Sequence, residues 1–301
     1  MEQSVVRPEF EPKPRRWLVL IDYLFYLVLL LAVGGFAYYM YYYLSTPLIV
    51  SLSGKLSMSI WIPVLLQKTG VTLFISIISV VLATFLGFLG ALGRLSRFAP
   101  LRWLTTLYVE VIRGTPILVQ LLFWYFGIAR ILSDGAHFDP YTVTFNLMTL
   151  LQSNSLVAGI DQPLFNAFFW GIIGLSFNYG AYLTEVFRAG IQSVDRGQSE
   201  AALSLGFNAG QTMRRVILPQ ALRITLPPFT NYFITLIQDS ALLSVVGVTE
   251  LEQQIGALGV SQNDSNIKLF IYVFGALYYF VVCFSLSLLA RFLETRFSRA
   301  Y

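Results

Sequence analysis

The sequence predicts an all-α membrane protein with six transmembrane helices. Apolar residues make up 56% of the 301 residues, and charged residues make up only 12%. A soluble domain contains about 25% charged residues, so most of this surface is expected to contact lipid or other membrane helices. Six apolar segments are long enough to cross a hydrocarbon core of about 30 Å. They lie near residues 17–44, 69–93, 103–129, 164–187, 221–247 and 268–292.

The distribution of lysine and arginine predicts the orientation of these spans. With a cytoplasmic N-terminus, four basic residues are external, Arg113 lies in the third span, and the other 15 are cytoplasmic. Because basic residues accumulate on the inner side of a membrane, both termini and residues 188–220 are predicted to be cytoplasmic. The net charge of +4 therefore does not indicate nucleic-acid binding. The four external residues are Lys55, Lys68, Arg130 and Lys268.

Residues 188–220 form a polar island between the fourth and fifth spans, and we call them the 188–220 loop. Its central part reads QSEAALSLGFNAGQTMRRVILP. Ser199 and Asn208 are candidate N-caps of two short helices. Gly206 suits the left-handed residue that separates them. Pro219 is expected to end the second helix and to begin the fifth span.

Two interpretations of the 188–220 loop are open from its residues. A helix lying on the membrane surface would carry larger apolar anchors and a more continuous basic face. This segment is instead compact, with Ala201, Ala202 and Leu205 expected on one narrow apolar side. The pattern therefore favours docking of a soluble protein over contact with lipid headgroups.

The same segment resembles the EAA loop of permease subunits from bacterial ABC importers. Glu200-Ala201-Ala202, then Gly206, then residues 216–219 match that loop, with Val216 where the family usually has Ile. Further segments resemble the polar amino acid permease branch, the histidine, arginine, glutamine and glutamate type. These segments are 112–120, 182–185, 188–194, 197–198, 218–221 and 238–242.

The resemblance implies a domain organisation. Residues 69–292 would form the five-helix ABC permease core, which includes the 188–220 loop as the coupling loop. The helix at 17–44 would be an addition in front of that core and reads as a retained signal anchor. Cytoplasmic tails would occupy residues 1–16 and 293–301. The external segment 130–163 is longer than in the shortest members of the family.

The resemblance also implies partners and a location in the bacterial inner membrane. A cytosolic ABC ATPase dimer would bind the 188–220 loop, and a second permease, identical or homologous, would complete the pathway. An external solute-binding protein would deliver a polar or charged L-amino acid. Membrane lipids would surround the spans, and no nucleic acid is involved. The implied coupling residues are Glu200, Ala201, Ala202, Leu205, Gly206, Leu218 and Pro219.

The sequence argues against a catalytic role for this chain. Gly54-Lys55 lacks the upstream glycine and the following Ser or Thr of a phosphate-binding loop. ATP and Mg²⁺ are therefore expected on the separate ATPase, and this chain is expected to bind no cofactor and to be no enzyme. The lone Cys283 and lone His137 receive no disulfide or metal role.

Polar residues inside the apolar spans are candidates for a translocation path, since ionisable groups at membrane depth favour a bundle interior or an aqueous path. Gly114 and Pro116 predict a kink in the third span, which lines a cavity or serves packing alone. Arg113 is expected to reach towards the cytoplasm, with Glu110 nearby. The candidates are Pro116, Gln120, Glu185, Asn231, Gln238 and Asp239.

Structural alternatives to these path assignments are open. Asp239 is the first candidate, but a hydrogen-bond network with Asn231 and Gln238 explains it equally well. Glu185 is expected to contact Arg188 one turn further on. The glycines at 87, 90 and 93 form a small-residue stripe that predicts close helix packing.

Two other functional classes compete with the importer hypothesis. An ion-gradient-driven secondary transporter usually shows internal repeats and coupling carboxylates near the midplane. No convincing repeat is visible here, and Asp239 is an isolated acid. A membrane scaffold without transport activity would explain the 188–220 loop, but it explains the kinked third span less well.

Overall fold

The computed structural model describes residues 58–128, 131 and 162–298. Contacts divide the chain into Met1–Trp61 and Ile62–Tyr301, and the features below belong to the second unit. The predicted first span at 17–44, both termini and nearly all of the 130–163 segment lie outside the described residues. Every regular element in the described part is helical, in agreement with the predicted class.

The described residues contain nine α-helices in chain order. A π turn, Phe123–Ile128, extends the third helix, and a second, Met213–Ile217, joins the sixth helix to the seventh. A 3₁₀ turn, Ser240–Val246, follows the seventh. The nine are α1 Met58–Leu95, α2 Ala99–Arg113, α3 Ile117–Leu122, α4 Gln162–Gln192, α5 Arg196–Ser204, α6 Ala209–Thr212, α7 Leu218–Asp239, α8 Leu251–Val260 and α9 Ser265–Ser298.

The lengths and apolar compositions of the described helices support fewer membrane spans than were predicted from the sequence. In the described part, 64–95 of α1 and 265–292 of α9 are each long and apolar enough to cross a membrane. Two further pairs of helices meet the same length and composition test only when both members of a bent pair are counted as one span. The described part therefore contains up to four candidate spans. The structure therefore shows a helical membrane protein without establishing six crossings.

The predicted fourth span is the continuous helix α4, but α4 is not among those apolar candidates. Its polar side chains are buried inside the protein: Asn166, Ser176, Asn178 and Thr184 are each at most 3% exposed. Because neighbouring helices cover these groups, α4 needs less apolar surface than a lipid-facing helix. It lies in the middle of the core, where α2, α3 and α7 contact it.

The predicted glycine stripe is confirmed as a site of close packing. A Cβ atom at Gly87 would lie 2.6 Å from Leu183 Cβ, and one at Gly90 would collide with the Thr184 side chain. A Cβ at Gly93 would lie 2.5 Å from the Thr105 side chain of α2. The absence of side chains on this face of α1 therefore lets α4 and α2 approach its backbone.

The predicted third span is divided into two separate helices, which is a larger interruption than the predicted kink. The predicted segment begins at 103, whereas α2 begins at Ala99, ends at Arg113, and makes an angle of 109° with the helix that continues to Ile128. Pro116 N-caps α3, where its missing N–H costs nothing. Residues 114–116 therefore end one helix and start another.

The predicted fifth span also differs at both ends. Pro219 does not end a helix: it lies in the first turn of α7, which continues the helix that starts at Ala209. At the other end α7 gives way to the 3₁₀ turn, and Gly247 (φ 91°) closes it. The unpredicted helix α8 follows, at 54° to the preceding segment.

A single added methyl group tests the α1–α4 packing. We expect Gly90→Ala to destabilise the protein by about 1–3 kcal/mol, because Thr184 is fully buried and cannot move aside easily. Gly70→Ala, on an exposed part of the same helix with no atom within 4 Å, is the matched control. Thermal unfolding of both variants in detergent measures the difference. Equal melting temperatures for the two would contradict the packing described above.

Candidate functional site

The 188–220 loop begins with a helix that is capped by a residue not predicted from the sequence. Asp195, not Ser199, caps α5: its Oδ1 accepts a 2.6 Å hydrogen bond from the Gly197 backbone N–H. The Ser199 hydroxyl instead donates to the Arg196 carbonyl oxygen. An Asp four residues before Ser199 supplies the cap, and its charge also suits the positive end of the helix dipole.

The turn between α5 and α6 is built as predicted. Gly206 adopts φ 85°, which confirms the left-handed residue. The Phe207 N–H bonds to the Ala202 carbonyl and the Gly206 N–H to the Leu203 carbonyl, so the end of α5 is closed. Asn208 then forms a complete capping box with Gln211, with both bonds 2.9 Å long. The two helices therefore meet in a fully hydrogen-bonded turn.

The apolar side of α5 is not the one predicted. Ala202 is buried at 4% exposure, whereas Ala201 is exposed and Leu205 is 79% exposed. Leu203 is also 53% exposed, and Glu200 lies on the exposed surface as well. One alanine therefore seats α5 on the protein, and two leucines and a carboxylate face outwards.

The two arms that carry the loop, α4 and α7, pack directly against each other. A Cβ atom at Gly190 would collide with the Thr225 side chain and lie 3.2 Å from the Ala221 carbonyl oxygen. Thr225 and Ala221 are 3% and 2% exposed. Leu218 and Pro219, predicted as coupling residues, lie at the start of α7, between α6 and this contact.

Glu185 belongs to a cluster of four charged side chains from three helices. Its Oε2 accepts hydrogen bonds from Arg188 Nε (3.0 Å) and Nη2 (2.6 Å), which confirms the predicted contact. Its Oε1 lies 3.3 Å from Arg94 Nη2 at the end of α1. Arg94 Nη1 in turn lies 3.8 Å from Glu110 Oε1 on α2. The predicted proximity of Glu110 to Arg113 is therefore replaced by a pair with Arg94.

Gln120 secures the break between α2 and α3. Its Nε2 donates to the Ile112 and Thr115 carbonyl oxygens at 2.7 and 3.0 Å. Its Oε1 accepts a 3.0 Å hydrogen bond from Asn178 on α4. A helix that stops inside a bundle leaves carbonyl groups without partners, and Gln120 supplies a donor for them. The structure therefore places Gln120 in the scaffold around the break beside Pro116.

Asp239 lies next to tyrosines and not next to the amides that were its predicted partners. Its Oδ2 accepts a 2.7 Å hydrogen bond from the Tyr179 hydroxyl on α4. The Tyr232 ring of α7 lies 6.4 Å from the Tyr179 ring and 5.4 Å from the Tyr182 ring. At the other end of this row, the Arg113 guanidinium stands 5.4 Å from the Tyr182 ring centroid. An anion and a cation therefore flank three tyrosines.

Asn231 and Gln238 lie apart from Asp239, on a groove between α7 and α9. Both side chains are exposed, and the groove also contains Tyr279 and Cys283, with a volume of about 430 Å³. The predicted network of Asp239, Asn231 and Gln238 is therefore wrong. Positions 231 and 238 are seven residues apart and share a helix face, whereas position 239 points elsewhere.

Glu250 is a buried acid that was not among the residues predicted from the sequence. It is fully buried, and its carboxylate accepts hydrogen bonds from Thr72 of α1 (3.0 Å) and Tyr279 of α9 (2.9 Å). It also N-caps α8 through the Gln253 N–H at 3.0 Å. Glu is not among the residues that usually cap a helix, so no local signature in the sequence identifies Glu250.

Metal ligation has no support in the described part of the chain, where no group of three or more His, Cys, Asp or Glu side chains is close enough to hold an ion. The polar side chains assembled here bind one another, face an open groove, or flank the tyrosine row. Charged, hydroxyl and amide groups of this kind can hydrogen-bond or pair with a polar solute, and exposed leucines can contact a protein partner.

Comparisons with known proteins identify the family. Residues 83–299 match the family described as the inner membrane component of binding-protein-dependent transport systems. The L-cystine transport system permease protein TcyB of Bacillus subtilis (strain 168) is 36% identical over 200 residues, which is 66% of this chain and 72% of that protein. The glutamine transport system permease protein GlnP of Escherichia coli (strain K12) is 32% identical over 240 residues, 79% and 95% of the two chains.

Solved structures give the same result at the level of the fold. The crystal structure of an amino acid ABC transporter with histidines aligns with a TM-score of 0.62 at 33% identity, over 79% of this chain and 96% of that one. The inward-facing MetNI methionine ABC transporter aligns at 0.51 with 18% identity, over 75% and 93% of the two chains. The chain therefore belongs to the family of inner membrane components of binding-protein-dependent transport systems.

Proposed function

We propose that this chain is the membrane permease subunit of an ATP-driven ABC importer that takes up polar or charged L-amino acids. The observation that supports this most directly is the 188–220 loop, a capped two-helix unit with an exposed surface of Glu200, Leu203 and Leu205. The relatives named for cystine, glutamine and other amino acids support the substrate class.

The 188–220 loop would dock on a cytosolic ATPase dimer. Its exposed leucines would enter an apolar groove on that partner, and Glu200 would pair with a basic or N–H group at the rim. ATP and Mg²⁺ would be bound by the ATPase, with no cofactor on this chain. Two permease subunits, identical or homologous, and a solute-binding protein would complete the importer in the bacterial inner membrane.

The proposed topology has six crossings, with both termini and the 188–220 loop in the cytoplasm. Two contacts are consistent with alternating directions of the helices. At one end of α1, Lys68 Nζ donates to the Thr249 carbonyl oxygen, where α7 gives way to α8. At the other end, Arg94 meets Glu185, close to the loop. Lys68 would then be external and Arg94 internal, as the basic-residue distribution requires.

The row from Arg113 to Asp239 would be part of the translocation path. A zwitterionic amino acid offers a carboxylate for a guanidinium and an ammonium for a carboxylate, and the tyrosines between them provide both apolar faces and hydroxyl groups. Asn231 and Gln238, exposed on α7, would face the second permease subunit or the aqueous path, since amides facing lipid are costly. Gln120, Pro116 and Glu185 would shape the path without lining it.

Substitutions at Gly206 test the coupling role of the loop. No atom lies within 4 Å of a Cβ placed there, so the cost of a side chain comes from the positive φ alone. We expect Gly206→Val to lose about 1–2 kcal/mol locally and to uncouple ATP hydrolysis from uptake. Gly206→Asn, which tolerates the left-handed region, should retain coupling.

The measurement is substrate-stimulated ATP hydrolysis and uptake in vesicles containing the chain and its candidate ATPase. Gly210→Ala in α6, where an added methyl group meets only ordinary contacts, is the matched control. Uptake that persists without any ATPase and follows an ion gradient would overturn the importer assignment in favour of a secondary transporter.

Glu185 tests whether the four-charge cluster ties the end of α4 to α1. Removing its charge with Glu185→Gln leaves Arg94 and Arg188 without their shared partner. Both are less than one third exposed. We expect a loss of about 1–3 kcal/mol in stability and a lower ratio of amino acid transported to ATP hydrolysed. Glu110→Gln, at a side chain that is 69% exposed, should leave both quantities nearly unchanged.

Asp239 tests the translocation path against a purely structural role. Asp239→Asn removes the charge but keeps an acceptor for the Tyr179 hydroxyl, whereas Tyr179→Phe removes the hydrogen bond and keeps the charge. A path role predicts that uptake falls roughly tenfold, or about 1.4 kcal/mol, only in Asp239→Asn. If Tyr179→Phe lowers uptake and thermal stability as much as Asp239→Asn does, Asp239 serves only as the structural acceptor of the Tyr179 hydroxyl.

A further inference from the structure

Helix α2 is anchored to the core along one side only. The Tyr108 hydroxyl donates a 2.6 Å hydrogen bond to the Phe177 carbonyl oxygen of α4, and Val109 is fully buried. Thr105 lies beneath Gly93 of α1. These three side chains fix α2 against α1 and α4, at 109° to the helix that follows it. The break at residues 114–116 therefore directs α2 away from the axis of the helix that continues to Ile128.

The opposite side of α2 exposes mainly apolar side chains, with the 69% exposed Glu110 at its edge, and we call it the α2 outer face. Trp103 is 67% exposed, Leu104 59%, Leu107 44% and Val111 52%. Positions 103, 107 and 111 follow one another at helical spacing and therefore form a continuous stripe. An amphipathic helix with such a stripe and a tryptophan is typical of the boundary between headgroups and acyl chains.

Two arginines stand at the start of the same helix without a partner in the described part of the chain. Arg97 and Arg102 are both exposed, and no hydrogen bond or ion pair of either side chain occurs there. By contrast, Arg94 is paired with Glu185 and Glu110. Arg97 precedes the first turn of α2 and Arg102 lies in it, where its backbone N–H bonds to the Phe98 carbonyl at 3.2 Å, so both arginines belong to the N-terminal end of α2.

We propose that the α2 outer face lies in the cytoplasmic leaflet and that Arg97 and Arg102 bind the phosphates of anionic phospholipids. The charges are complementary, since that leaflet is the negatively charged one. The apolar surface is also continuous in the chain with a lipid-facing helix: α1 exposes Phe85 and Leu89 on the way to this turn and is apolar enough to cross the membrane. A protein partner would have to cover a stripe that leads directly into that lipid-facing surface.

The test uses the fluorescence of Trp103 in the full-length chain reconstituted in nanodiscs. Lipids with brominated acyl chains quench a tryptophan that they touch. The Trp103 signal is isolated by subtracting Trp103→Phe, since the chain has five tryptophans. We expect brominated phosphatidylglycerol to quench this signal about twice as strongly as brominated phosphatidylcholine at the same mole fraction, and salt to reduce the difference.

Two variants make the assignment specific. Arg97→Gln combined with Arg102→Gln should bring the quenching ratio to one, whereas Arg196→Gln, at an exposed arginine of α5, should leave it unchanged. Native mass spectrometry of bound phosphatidylglycerol in the same variants needs no tryptophan substitution and should show the same order. Equal quenching by both lipids in the wild-type chain would overturn the headgroup site. No quenching by either would show that a protein, such as a second permease copy, covers the face.

Discussion

The close approach of α4 to α1 and α7 is the constraint on which the other contacts depend. Gly87 and Gly90 admit α4 on one side, and Gly190 admits α7 on the other. With these backbones in contact, Asn178 reaches Gln120 and Tyr179 reaches Asp239. A larger residue at any of the three glycines would separate the helices and lengthen bonds that have only a few tenths of an ångström to spare.

The same packing would determine how a movement of the 188–220 loop is transmitted to the other helices. Its two arms touch at Gly190, and the Glu185 cluster joins the end of α4 to α1 and α2. The Gln120–Asn178 bond holds α3 to α4 on the far side of the break. The Tyr108 hydroxyl bonds to the Phe177 carbonyl, one residue before Asn178, so both halves of the interrupted helix are attached to α4 at neighbouring positions. Movement of α4 would therefore carry both halves and the break at residues 114–116 together.

Local rules predicted much of this arrangement from the sequence. The left-handed Gly206, the N-cap at Asn208 and the glycine stripe depend on backbone conformation or residue size, which are readable from a few neighbouring positions. The cap at Ser199 was a local failure, since Asp195 takes that role, whereas the partners of Asp239 and Glu250 depend on distant residues. Asp239 is bonded to a tyrosine 60 positions away, and Glu250 to Thr72, 178 positions away. No spacing rule finds such partners, and the coupling residues themselves stay a prediction from resemblance.

The π turn at Met213–Ile217 has a mechanical consequence. The Leu218 N–H bonds to the Met213 carbonyl, five residues back, so this turn contains one residue more than an α-helical turn would. That extra residue lies inside the 188–220 loop, between α6 and α7. Conversion of the turn to α-helical geometry would rotate α5 and α6 about the α7 axis by about one residue's angular step, roughly 100°, without breaking the helix. A coupling segment attached through such a turn can rotate about the α7 axis as well as move along it.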